Sequence, residues 1–218
     1  AFRAVQGLAP RVVVILSPYH RYHSGDVLTT AHHAYQTPLG DVWVHEGLMQ
    51  ALQQELAADG MEITRVAHDS EHALEIELPF LQRALAGSFE LLPLMVRCQN
   101  QAAAQVLGTS LGKVLAGEQA LLVASTDLSH FYPLEIASTL DQEMLRRMAA
   151  FSPEAVLEAE QTGTGFACGA YAVAAAMWAA RELGAQRVQV LHHSTSADQT
   201  GDASSVVGYG AAVFLQPQ

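Results

Sequence analysis

The sequence predicts an α/β fold: a single domain over residues 1–218, built on a mixed, mostly parallel sheet with helices on both faces. Three observations carry this expectation. Short β-branched and leucine-rich runs alternate with longer amphipathic segments. Signals that start and stop helices fall between them. No repeat, low-complexity linker or composition shift divides the chain, and 218 residues, 50% of them hydrophobic, can bury a substantial core.

Taken in order, the apolar run "RVVVILS" predicts a first strand at residues 11–17. The segment "LTTAHHAYQTPLGD" reads as a loop or edge strand, with His32 and His33 structural. A strand at 41–44 leads into a helix at 45–59, which Gly60 can end by adopting positive φ. A strand at 63–67 precedes a helical stretch at 70–86, where Pro79 should kink the helix or end its first part. Further strands are expected at 89–97, 120–125, 187–192 and 206–215, with helices at 102–116, 134–150, 153–160 and 167–184. Ser152 followed by Pro153 reads as an N-cap and first helical position, and Gly184 as a helix stop.

Composition excludes several function classes. Against 22 acidic residues stand 11 basic ones, a formal charge of −11 with no basic cluster, so nucleic acid is not an expected partner. The longest apolar run, "ACGAYAVAAAMWAA", is too short to cross a membrane and suits a buried helix. Only Cys98 and Cys168 are present, which fits a reducing, cytoplasmic setting better than a disulfide framework. The opening "AFRAVQGLAPR" has neither the basic start nor the apolar core of a signal peptide, and reads as the tail of a helix and its loop.

In open α/β sheets, ligands gather beyond the carboxyl ends of strands. Four expected strand ends carry polar, chemistry-bearing residues: His20 after the first; His68, Asp69, Glu71, His72 and Glu75 after 63–67; Asp127 and His130 in "STDLSH"; and His192 and His193 after 187–192. Any one of these histidines alone is more often a loop residue than a ligand. Together they point to one crevice. His72 and Glu75 are spaced to share a helical face, suited to orienting a metal ligand or moving a proton, although acids also gather at helix starts for electrostatic reasons. Asp127 could equally cap a helix. Cys168 opens the alanine-rich helix, where the helix N-terminus favours the thiolate, while a buried inert thiol is the ordinary alternative and fits Cys98. His23 is as easily a surface residue, His45 reads as a helix start, and Asp202, Ser204 and Ser205 could line a pocket or make turn bonds.

The motifs "LSPYH", "DSEHALEIELPF", "STDLSH", "FACGAY" and "GDASSVVGYGAA" occur in an order that resembles the MEMO family. Its members show "GPSHH", "DEEHSIEMHLPY", "SSDFCHWG", "ICGRHP" and "QDSSVSYAAG" there. The family is similar in fold to extradiol dioxygenases of the LigB type, and members are encoded near radical-SAM and AMMECR-type proteins. The resemblance implies that His20 and Cys168 would ligate a metal, iron as Fe(II) or copper, with Asp127 and His130 near it and His72 and Glu75 lining the pocket.

Two departures stand out. The family's first metal histidine lies in an "APHAGY" motif on an earlier strand, which this sequence lacks, so an N-terminal segment or a second chain is expected to complete the sheet. The second histidine of "GPSHH" is Arg21 here. Two ligands alone should bind metal weakly. The leading expectation is thus a metal-dependent oxidoreductase, similar to a dioxygenase, acting on a small substrate with His72 or His130 as acid or base. The alternatives are a non-enzymatic module binding a peptide or phosphotyrosine, and a cysteine hydrolase with Cys168 as nucleophile, His130 as base and Asp127 or Asp202 orienting it. No "GxSxG" elbow supports the last.

Overall fold

A computed structural model describes residues 1–217. After a 3-10 turn at Phe2–Val5, the strand β1 (Val12–Pro18) is buried along its whole length. Then follow β2 (Val27–Thr30), the hairpin β3 (Ala34–Thr37) and β4 (Gly40–Trp43), helix α1 (Glu46–Ala57) and β5 (Ile63–Val66). Next come α2 (Leu78–Ala84), β6 (Glu90–Val96), α3 (Gln101–Val114), β7 (Ala120–Ala124) and β8 (His130–Tyr132). The chain finishes with α4 (Leu134–Ala149), α5 (Pro153–Thr162), α6 (Ala170–Glu182), β9 (Arg187–Thr195), α7 (Ala197–Thr200) and β10 (Val206–Leu215).

The main sheet has the order β5-β2-β6-β1-β7. All its pairings are parallel except β2 with β6, which makes it the mixed, mostly parallel α/β sheet that the sequence predicts. Because β1 is flanked by β6 and β7 and covered on both faces, successive side chains alternate between two cores. Val12, Val14 and Leu16 pack with α1, α3 and α6, while Val13 and Ile15 pack with Leu74, Leu78 and Leu81 beside α2. Helices thus cover both faces. The alanine-rich α6 lies so close to α3 that a Cβ on Gly108 would overlap the Ala175 carbonyl.

Three sequence expectations change. The stretch at 70–86 is not one helix: it is irregular to Leu74, makes a 3-10 turn at Glu75–Glu77 and becomes α-helical only from Leu78. Pro79 sits in the first turn of α2, where its missing N–H costs nothing, rather than kinking a longer helix. The last two strands do not join the main sheet but form a separate antiparallel sheet, β8-β10-β9. Finally, β2 and β3 lie partly in the segment read as loop or edge strand, and β8, three residues long, carries no readable period.

A buried carboxylate ties the second sheet to α4. Asp141 is fully buried and accepts hydrogen bonds from the Ser129 amide (2.8 Å) and from His193 Nε2 (2.8 Å). Its partner strand passes so near that any Cβ on Gly208 would overlap the carboxylate. We therefore expect Gly208→Ala to destabilise the fold by about 2 kcal/mol or more. This corresponds to a melting temperature lowered by roughly 4–8 °C for a chain of this size; an unchanged thermal melt would refute the packing described.

Candidate functional site

The site forms beyond the carboxyl ends of β1 and β7, which run side by side in the same direction. A cleft of about 440 Å³ there is lined by His20, Glu71, His72, Asp127, His130 and Cys168, with Arg21 and Phe131 at its margins. Five of the residues expected from sequence (His20, His72, Asp127, His130 and Cys168) thus come together. Glu75 does not: it begins the 3-10 turn, is exposed, and lies outside this lining.

His72 reaches the cleft by a route the sequence did not reveal. Because β2 runs antiparallel to β6, β5 ends away from the edge where β1 and β7 end. The loop after β5 travels back across, and one side chain fastens it. Glu71, only 2% exposed, accepts hydrogen bonds from the His20 amide (2.7 Å) and His20 Nδ1 (2.9 Å) through one oxygen. Its other oxygen takes the His72 and Ala73 amides at 2.9 and 3.0 Å. Burial by itself would raise this carboxyl's pKa, but the amide and imidazole donors outweigh it and hold the group below its ordinary value. An ionised carboxylate only accepts, so His20 Nδ1 carries a proton, and in the neutral ring it is Nε2 that has the lone pair.

His130 is oriented in a similar way. Its Nδ1 lies 3.0 Å from the Leu128 carbonyl, an acceptor, which again leaves Nε2 as the unprotonated nitrogen. The ring packs edge-on against Phe166 and Phe131. Phe131 is 78% exposed and adopts φ 69°, a left-handed conformation that costs a non-glycine residue energy and clusters at functional sites.

Cys168 sits between these walls, and its Sγ accepts the Asp127 amide at 3.2 Å. Burial pushes its thiol above the ordinary value, and pushes Cys98 up to about 12. The expected helix N-terminal position is nearly correct, since α6 begins at Ala170, but desolvation outweighs the helix end. No imidazole is hydrogen-bonded to this thiol among the described residues. Asp202 is exposed and occupied with Ser204, and His193 is committed to Asp141, so neither contributes to the cleft. His32 bonds the Ala67 carbonyl, and His45 caps α1 by accepting the Leu48 amide.

The donor set does not by itself fit a fixed metal site. No group of three or more His, Cys, Asp or Glu side chains is placed to hold an ion among the described residues. Nor, among those residues, is any helix long and apolar enough to cross a membrane.

Comparisons with known proteins agree on one family. The model of the family described as Memo-like protein matches residues 1–213. A MEMO1 family protein of Nitrosopumilus maritimus is 30% identical over 215 residues, covering 99% of this chain and 78% of its own length. Another, from Aquifex aeolicus, is 34% identical over 206 residues, covering 94% of this chain and 76% of its own. Among solved structures, the uncharacterized protein JW3007 of Escherichia coli K12 superimposes with a TM-score of 0.63 at 16% identity, over 91% of this chain and 85% of that one. That likeness is one of fold alone.

The thiol chemistry yields a direct expectation. At neutral pH iodoacetamide should alkylate both cysteines more slowly than an unperturbed thiol of pKa 9.0. Raising the pH should speed Cys168 before Cys98. Fast neutral-pH labelling of Cys168, read by peptide mass, would contradict the raised pKa and favour a nucleophilic cysteine.

Proposed function

The chain belongs to the Memo-like protein family, and on that premise we propose that its cleft binds a small polar molecule and exchanges a proton with it through His20. The observation that carries this reading is the contact between the buried Glu71 carboxylate and His20 Nδ1. It fixes the tautomer, leaves Nε2 basic, and would stabilise the imidazolium once a proton is taken. His20 is half exposed, so a ligand can reach it. His130, with its own Nε2 unprotonated, and the more exposed His72 line the same space and are the candidate partners for returning the proton. Asp127 adds an acceptor beside them.

The metal-dependent oxidoreductase reading uses the same cleft. A carboxylate behind a histidine is also how metal-binding imidazoles are oriented, which favours that reading at His20. It needs donors beyond His20 and Cys168, whether from an added segment or a second chain. Titration with Fe(II) or Cu(I) separates the two: stoichiometric uptake lost in Cys168→Ser would replace the proton-transfer reading.

The test begins with histidine-labelled protein and a library of small polar compounds, followed by nitrogen NMR. Free His20 should show a protonated Nδ1 and an unprotonated Nε2, and Glu71→Gln should weaken that preference. Compounds that bind should shift His20 together with His72 or His130. For any compound that is turned over, His20→Asn should lower the rate by about 10²–10⁴-fold. Turnover that survives His20→Asn unchanged would reject the proposal, and phosphotyrosine peptides that bind without any turnover would favour the binding-module alternative.

A further inference from the structure

We propose that Arg21 and Arg97 form a carboxylate-binding subsite that anchors the small molecule whose reactive part lies at His20. A second cavity, about 360 Å³, adjoins the first and shares His20, Arg21 and Cys168 with it. The two make one bipartite cleft. This inference rests on the ligand-cleft reading above and adds to it the class of ligand.

Both arginines stand where the fold would place a ligand group. Arg97 directly follows β6 and Arg21 lies just past β1, at the carboxyl ends of neighbouring parallel strands. Arg97 Nε donates to the Arg21 carbonyl at 3.1 Å, which holds its guanidinium in place and leaves the terminal nitrogens without a protein acceptor among the described residues. Neither side chain has a carboxylate within ion-pairing distance among those residues. Arg65, Arg146, Arg147 and Arg181 each pair with a glutamate, whereas Arg3, Arg11, Arg83 and Arg187 are unpaired among the described residues as well; what sets Arg21 and Arg97 apart is that both line one cavity. In a chain of net charge −11, two unpaired guanidinium groups converging on one cavity are an anion-binding arrangement.

The chemistry of the walls selects among anions. Among the described residues, Glu160 is the only carboxylate residue lining this cavity; burial raises its pKa, and it accepts the Ala167 amide at 2.8 Å. With this acid in the same cavity and an acidic protein around it, a dianion is repelled more than a monoanion. A carboxylate also matches the planar fork of a guanidinium. Tyr19, Tyr22 and Tyr171 supply apolar ring surface for the carbon skeleton, and Tyr171 is held by its hydroxyl donating to the Gln99 carbonyl at 3.0 Å. The ligand is therefore a small organic carboxylate rather than a phosphate ester.

Calorimetry on the full 218-residue chain tests this with benzoate, its neutral counterpart benzamide, and inorganic phosphate. Benzoate should bind, with benzamide and phosphate each weaker. Arg21→Gln and Arg97→Gln should each weaken benzoate by about tenfold or more, in the range of a lost charged hydrogen bond. Arg187→Gln, on the exposed start of β9, should change nothing. Equal affinity for benzoate and benzamide, phosphate binding tighter than benzoate, no benzoate binding, or unaltered affinity in both cleft variants would overturn the proposal. The benzoate and benzamide comparison uses the unsubstituted chain and so holds even if a variant misfolds. Benzoate failing while other compounds still shift His20 would sink the subsite and leave the cleft reading intact; arginine-dependent binding with no change at His20 would support the subsite and count against the proton-transfer role.

Discussion

The cleft depends on one interaction, the capture of the Glu71 carboxylate by the end of β1. Four donors converge on its two oxygens: two from His20 and the amides of His72 and Ala73. A buried carboxylate with fewer partners would give up its charge. Here the donors outweigh desolvation, and a loop with no regular structure between β5 and the 3-10 turn is given one position. The same contact orients His20, so the scaffold and the chemistry share a single anchor.

That anchor is needed because of the sheet's one antiparallel step. With β2 reversed against β6, β5 delivers the chain to the wrong edge, and an irregular loop must carry His72 back. Irregular backbone leaves amides without ladder partners. Glu71 supplies acceptors for two of them, and Asp69 for the amide of Glu71 itself. On the far wall, Asp141 does similar work for the loop that bears Asp127 and His130, accepting the Ser129 amide from beneath. Two buried carboxylates thus fix the two loops of the site, Glu71 from the cleft wall and Asp141 from behind it.

The strands with unbroken apolar runs were legible, because burial on both faces leaves a compositional mark: β1 and β6 fall within a residue or two of expectation. The convergence of His20, Asp127, His130 and Cys168 was also legible, since strand ends in a parallel sheet share an edge. What the sequence hid was non-local. Nothing in "DSEHALEIELPF" says that Glu71 reaches across 51 positions to His20, so its acidity read as ordinary helix-start chemistry and the stretch as helix. Arg97 could not be paired with Arg21 before β1 and β6 were known to be neighbours. Glu75 was misplaced for the same reason, since helical spacing means little in a segment that is not yet a helix.

Charge placement gives the last step. Paired arginines in this chain sit on helix surfaces and the sheet edge, where nearby glutamates neutralise them. Such pairs add little stability and are easily formed wherever acids are in excess. Among the described residues, Arg21 and Arg97 differ from the chain's other unpaired arginines in lining one cavity. At Arg97 the Arg21 carbonyl holds Nε beside that cavity. The cleft therefore changes character along its length: His72, His130 and Asp127 line only one cavity, Arg97 and Glu160 only the other, and His20 and Arg21 stand where the two meet. The ligand proposed above would carry a proton to exchange at one end and a negative charge at the other. That requirement is far narrower than either cavity would impose alone.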